Sequence, residues 1–223
     1  MNKFVNIHTH SSQITDNDEI IEVKSINIED GIGIDALRLC SVAIHPWSVK
    51  NYFDNNSYIA FLENNAIKDN VIAIGETGLD RLYHETFSLQ KDLLLKHIEI
   101  SEKYCKPMIL HVVRSFPEII SIRKQTKAKM PWIIHAFQSN VQTLEQLLPY
   151  DIYFSLSNVL FNNEKRAVEL LSRIPKDRLF LETDDSNKSI LSVYERAALL
   201  SGMTIDVLRE DIFSNFVKIF GQI

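Results

Sequence analysis

The sequence predicts an α/β protein of the TIM type, a (β/α)8 barrel, and three observations lead there. Eight apolar runs follow one another at 4–8, 19–24, 41–45, 71–75, 107–111, 132–135, 152–156 and 178–182. Most are continuously apolar rather than alternating, as expected of strands covered on both faces. Helical patterns separate them, and strand–helix alternation marks a parallel sheet. Five segments then place a metal-type side chain where a strand run ends: His8-Thr9-His10, Gly75 through Asp80, His111, His135-Ala136-Phe137 and Glu182-Thr183-Asp184. Side chains so far apart converge when parallel strands share one C-terminal rim, where barrels of this class keep their chemistry.

Taken in order, the first strand is entered almost at once and ends on His8. The second run begins only about ten residues later, too few for a full crossover helix, so the barrel is expected to be distorted or trimmed near its first two strands. The third run ends on His45, before Pro46 and Trp47. Residues 51–57 are polar and expected to form a loop. Residues 85–104 put Phe87, Leu94 and Ile98 on one stripe, with Lys91, Asp92, Glu99 and Glu102 elsewhere, which predicts an amphipathic helix. Shorter helices are expected at 115–126, 141–148 and 163–173. A helical pair at 190–201 and 204–219 closes the chain. Gly202 suits the end of the first of these helices and Thr204 the start of the second, whose stripe runs through Leu208, Ile212, Phe216 and Phe220.

With 223 residues the chain is expected to form a single domain, 1–223. An apolar fraction of 45% and a charged fraction of 24% are ordinary for a soluble globular protein. No apolar run nears the roughly 20 residues of a membrane span. The N-terminus lacks a long apolar core and a small-residue cleavage site, so no signal peptide is expected. Cys40 and Cys105 stand alone among apolar neighbours, which reads as buried free thiols in a cytoplasmic protein. No protein partner is implied, and a monomer is expected. A net charge of −5 does not advertise nucleic-acid binding. Two divalent ions would nevertheless add about four positive charges where a phosphate must sit.

His8 and His10, two apart on a strand, project to the same side and can reach one metal. Glu76 directly follows an apolar strand, where a carboxylate is costly to bury unless paired or coordinated. Gly75 and Gly78 are expected to let the backbone turn sharply around it, and Asp80 to hold the loop. His111 and His135 each end an apolar run, and two such residues on successive strands favour ligation by neutral imidazole. Asp184 follows the last strand, with Asp185 beside it. Asp184 is the one placed on the rim, where a carboxylate next to a metal-bound water can take its proton. His45 can contact a substrate phosphate or pack on Trp47. Arg81 and Arg114 lie just past Glu76 and His111 and suit phosphate oxygens; either can equally be salt-bridged at the surface.

In this order and spacing, the segments resemble the TatD family of metal-dependent deoxyribonucleases, within the amidohydrolase superfamily. The resemblance rests on His8-Thr9-His10, Ile44-His45-Pro46, Gly75-Glu76-Thr77-Gly78-Leu79-Asp80, His111, His135-Ala136-Phe137 and Glu182-Thr183-Asp184, and it spans nearly the whole chain. It implies a distorted TIM barrel with a two-metal centre holding Mg²⁺ or Zn²⁺, with Mn²⁺ a further candidate. It implies that His8, His10 and Asp184 hold one ion, that His111 and His135 hold the other, and that Glu76 bridges them. Asp184 and Glu76 are then the catalytic pair, acting on a metal-activated water, and DNA is the substrate. The chain departs from the family pattern at Arg114, one residue later than usual after His111, at Ser139 in place of a glycine and at Ser186 in place of a proline.

Three readings compete at this stage. The first is a two-metal phosphodiesterase acting on DNA. The second is a small-molecule ester, lactone or amide hydrolase of the same superfamily, which the same polarising centre would serve. The third is a non-catalytic domain whose metals only stabilise the fold, disfavoured by the complete set of six ligand residues. An open, Arg-lined groove would favour the first and a closed apolar pocket the second.

Overall fold

The computed structural model describes residues 2–11, 17–30, 34, 39–52 and 57–221. The eight predicted strands are all present: β1 Phe4–Thr9, β2 Ile20–Asn27, β3 Cys40–Ala43, β4 Val71–Asp80, β5 Met108–Val113, β6 Trp132–Ile134, β7 Ile152–Leu156 and β8 Leu179–Leu181. They are ordered β1 to β8 in one sheet, each beside its sequence neighbour. The pairings β1–β2, β3–β4, β4–β5 and β7–β8 are parallel. Beyond β8, Asp184 bridges in parallel to Thr9 of β1, so the order returns to its start. The (β/α)8 class is thus borne out. Phe4 of β1 already pairs with Ile20 of β2, and the described residues between them contain no helix, as their short separation requires.

Nine α-helices occur among the described residues: α1 Val49–Tyr52, α2 Ser57–Ala66, α3 Phe87–Tyr104, α4 Phe116–Thr126, α5 Val141–Leu147, α6 Val159–Asn162, α7 Glu164–Arg173, α8 Ile190–Ser201 and α9 Ile205–Phe220. The predicted caps hold. Gly202 ends α8 at a φ of 70°, and the Thr204 side chain accepts from the Val207 N–H at the head of α9. The loop expected at 51–57 is corrected at its described ends: Asn51 and Tyr52 finish α1, and Ser57 starts α2. Its middle, 53–56, lies outside the described residues. Cys40 is buried as expected, but Cys105 is exposed. Cys105 occupies the left-handed position that ends α3, shortly before the chain enters β5 at Met108, and its side chain stays at the surface.

The chain forms two compact units, Met1–Lys24 with Ile134–Ile223, and Ser25–Ile133; the division falls inside β2 and β6. In the first unit, β1 and the end of β8 are zipped together. The Asp184 N–H donates to His8 O (3.1 Å), and the His10 N–H to Asp184 O (3.0 Å). Asn6 and Thr183 exchange two hydrogen bonds of 2.9 Å. The buried Tyr194 hydroxyl of α8 serves both the N–H and the C=O of Val5, which satisfies both main-chain groups of that residue.

In the second unit, β4 runs on to Asp80, five residues past the predicted end. The role of its glycines is corrected accordingly. Gly75 and Gly78 sit inside a strand that presses on β5. A Cβ on Gly75 would fall 2.5 Å from Ile109 O, and one on Gly78 2.0 Å from His111 O. They permit close approach, not a turn. Among the described residues, no helix is long and apolar enough to cross a membrane.

Candidate metal centre

In the first unit the site grows from the β1–β8 zipper. His8 is fully buried and His10 is exposed, yet their rings meet edge to face at 4.9 Å, as residues two apart on one strand should. Both rings face the same oxygen, Asp184 Oδ1, at 3.7 and 3.8 Å. Asp184 has a left-handed φ of 54°, a conformation that aspartate tolerates better than most residues. Its peptide is pinned between His8 and His10, which holds that conformation in place. Asp185 is exposed, so the choice between the two acids agrees with the geometry.

His135, at the end of β6, packs 4.5 Å from the His8 ring and faces Glu182 Oε1 at 3.4 Å. The same oxygen accepts the Ala136 N–H at 2.7 Å, and Ala136 adopts a φ of 45° to deliver it. Burial alone would raise the Glu182 pKa. The hydrogen bond from His135, the charges of His135 and His8 and a bond with Ser155 outweigh it and hold the carboxyl below its ordinary value.

In the second unit, His45 caps a short 3₁₀ turn, Pro46–Ser48, by accepting the Trp47 N–H on Nδ1 at 3.3 Å. Its proton is therefore on Nε2, which donates to Glu76 Oε1 at 3.1 Å. His111 meets the same Glu76 oxygen through Nδ1 at 2.9 Å and faces Asp80 Oδ2 through Nε2 at 3.3 Å. Asp80 also accepts from Trp47 Nε1 (2.8 Å) and from the Leu82 N–H (2.9 Å). Burial pushes the Asp80 pKa up, but the bonds from His111, Trp47 and Leu82 outweigh it and leave it lowered. Below this cluster lies the fully buried His97 of α3. It donates from Nδ1 to Leu93 O (2.8 Å) and accepts the Ile44 N–H on Nε2 (3.1 Å), fixing the backbone next to His45. Burial drives its pKa down to about 4.

Each unit holds one donor set made wholly of its own residues. The ligand atoms of His8, His135 and Asp184 lie within 4.8 Å of one another, as do those of His45, Glu76 and His111. Two imidazole nitrogens and a carboxylate oxygen fit Zn²⁺ and similar divalent ions. His135 is thus grouped with His8 and Asp184, and His45 joins Glu76 and His111. Arg81 is engaged at the surface: it pairs with Glu118, donates to Arg114 O (3.0 Å) and stacks over Phe87. Arg114 is exposed.

Sequence reasoning gave no ligand-supporting role to Asp80 or Glu182. Asp80 was visible in principle, because four residues along an extended strand return it to the face of Glu76. Glu182 had a weaker signal, as a carboxylate ending an apolar strand. Beside His10 and Asp184 lies a cavity of about 690 Å³ whose lining includes Asn6, Ser11, Glu22, Asp185, Asn187 and Lys188.

The family described as TatD related DNase matches residues 14–221. Over 211 residues the chain is 26% identical to YcfH of Escherichia coli K12, described as an uncharacterized metal-dependent hydrolase; the match covers 87% of this chain and 78% of that one. The 3′-5′ ssDNA/RNA exonuclease TatD of Pectobacterium atrosepticum is 27% identical over 151 residues, 65% of this chain and 56% of that protein. Among solved structures, the TatD homologue YjjV of E. coli superposes with a TM-score of 0.85 at 17% identity, over 100% of this chain and 99% of that one, a likeness of fold.

Proposed function

We propose, for a chain that belongs to the TatD-related DNase family, that it is a deoxyribonuclease cleaving DNA phosphodiester bonds with divalent ions in its two histidine–carboxylate clusters. A metal-dependent hydrolase of this family is the coarser statement. The observation that carries the finer one is the pair of three-donor sets, each with its ligand atoms within 4.8 Å. Support for nucleic acid as substrate comes from the relative named as a 3′-5′ ssDNA/RNA exonuclease.

His8, His135 and Asp184, with His10 beside them, would hold one ion, and His45, Glu76 and His111 the other; Mg²⁺, Mn²⁺ and Zn²⁺ are the candidates. Bound there, such ions supply Lewis acidity toward the phosphoryl oxygens and lower the pKa of water. Asp184 takes the proton of the attacking water, because its Oδ1 is the oxygen that His8 and His10 both face. Glu76 is oriented by His45 and His111, which both meet its Oε1. Asp80 fixes His111 from its far nitrogen. Arg114 is the exposed cation for a substrate phosphate, Arg81 being already paired with Glu118. We place the protein in the cytoplasm as a monomer, with DNA as its partner; the reduced, buried Cys40 is consistent with that compartment.

One observation favours the small-molecule reading. The cavity beside His10 and Asp184 has the size of a metabolite site, and acids rather than arginines line it. The experiment that decides is a screen of metal-reconstituted protein against single- and double-stranded DNA, RNA, a simple phosphodiester and a panel of esters, lactones and amides. Turnover of DNA ahead of every ester, lactone and amide is expected. Turnover of the panel without DNA cleavage would replace this reading with the second.

A further inference from the structure

We propose that Trp47 and Tyr83 form a shelf on which one nucleobase of the substrate stacks, directly beside the His45–Glu76–His111 cluster. This rests on the nuclease reading above. Trp47 is 54% exposed and Tyr83 46% exposed. Rings of this size normally contribute to a core or an interface. Here they lean on each other, centroids 5.4 Å apart and planes inclined by 31°, so two π surfaces lie side by side at the surface.

The indole is not loosely placed. Its Nε1–H donates to Asp80 Oδ2 at 2.8 Å. Its ring meets His45 at 4.6 Å and His111 at 5.6 Å, both nearly edge to face. The shelf is therefore rigidly coupled to two candidate metal ligands, and a base resting on it brings its own phosphate to them.

Stacking on aromatic side chains accepts any base, since every base has a π face, and it needs a base that is not already paired and stacked in a duplex. The shelf thus supplies what the metal cluster lacks, a contact to the nucleoside rather than to the phosphate. It also predicts a preference for unpaired ends.

The sequence offers a direct probe. Of the two tryptophans, Trp132 is fully buried, so a ligand-induced change in emission reports Trp47. The full chain is titrated with a short single-stranded thymidine oligonucleotide carrying phosphorothioate linkages, and in parallel with an abasic oligonucleotide of equal length. Emission should be quenched by the first and not by the second. Tyr83→Ala should weaken the thymidine oligonucleotide by about 5- to 100-fold and leave abasic binding unchanged, while Tyr83→Phe restores wild-type affinity. Equal binding of both oligonucleotides without quenching, or a Tyr83→Ala variant that binds like the wild type, would overturn the proposal. Quenching in a protein that fails to cut DNA leaves the shelf standing and removes the nuclease reading. DNA cleavage without quenching does the reverse.

Discussion

In the first unit, main chain places the candidate ligands: the peptide of Asp184 is hydrogen-bonded between His8 and His10, and Asn6 and Thr183 lock the same junction. In the second unit, side chains place them: Glu76 binds His45 and His111, and Asp80 binds His111 and Trp47. Each cluster has one carboxylate grouped with two imidazoles and a second that orients a histidine from outside that group, Glu182 in the first unit and Asp80 in the second. The difference lies in where strain and burial fall. The first cluster needs left-handed backbone at Ala136 and Asp184 and a fully buried Glu182. The second needs no left-handed ligand, but it needs β4 and β5 pressed together at two glycines. Backbone-placed ligands should therefore tolerate side-chain changes around them, and side-chain-placed ligands should not.

The largest effect is expected where the second cluster depends on contact between strands. Gly78 lies opposite His111, and a methyl there would overlap a main-chain oxygen that cannot move aside. Gly78→Ala should cost more than about 4 kcal/mol and yield little folded protein. Gly202→Ala, where nothing lies within 4 Å, should cost about 1 kcal/mol through its positive φ alone. Denaturant melts of both variants measure the contrast, and equal losses would show that the strand contact is not tight.

In the first cluster the effect should fall on chemistry. Asp184→Asn keeps the size of the side chain and one ligating oxygen but removes its basicity. A fall in kcat of about 10²–10⁴-fold is expected, with KM changed far less. Asp185→Asn removes the same charge from an exposed neighbour and should cost less than about tenfold. An inactive Asp185→Asn beside an active Asp184→Asn would mean that the wrong acid has been assigned.

The support beneath the second cluster has a pH signature. His97 is held near pKa 4, against 6.5 when unfolded. Between those values the unfolded chain binds the proton and the folded chain does not. Its contribution to stability is therefore complete above about pH 6.5 and declines as the pH falls toward 4, by about 3 kcal/mol in all. His97→Gln can still accept from Ile44 and donate to Leu93, and it should flatten that part of the stability profile. An unchanged slope between pH 6.5 and 4 would contradict the assignment.

The smallest effect concerns the two orienting acids. Glu182→Gln, fully buried, should cost about 1–3 kcal/mol of stability. Asp80→Asn should lie at the upper end of that range, because Trp47 and Leu82 donate to different carboxylate oxygens and a single amide oxygen keeps only one of the two, whereas both bonds on Glu182 fall on Oε1. Thermal melts giving the opposite order would break the contrast between a buried anchor and a shared one.

The strands were legible because most are continuous apolar runs, and the six ligand-type residues because they stand at or just past the ends of such runs. The pairing of ligands was not legible, since it depends on contacts between residues far apart in sequence. His135 lies against His8, 127 positions away, and the Thr9–Asp184 bridge spans 175. Helix α2 was hidden by the polar stretch before it. The reach of β4 to Asp80 was hidden by glycines that read as a turn and act as a close strand contact. Arg81 looked suited to phosphate from its position, but only the folded chain shows Glu118 already occupying it.

If the donor set of each unit holds a divalent ion, metal stoichiometry will show it. The protein is stripped with chelator, reloaded with Zn²⁺ or Mn²⁺, freed of excess ion and assayed for bound metal per chain, alongside His135→Ala and His111→Ala. Two ions per wild-type chain and one in each variant are expected, together with a melting temperature that falls on chelation and recovers on reloading. No bound metal in the wild type, or full retention of both ions in either variant, would contradict it.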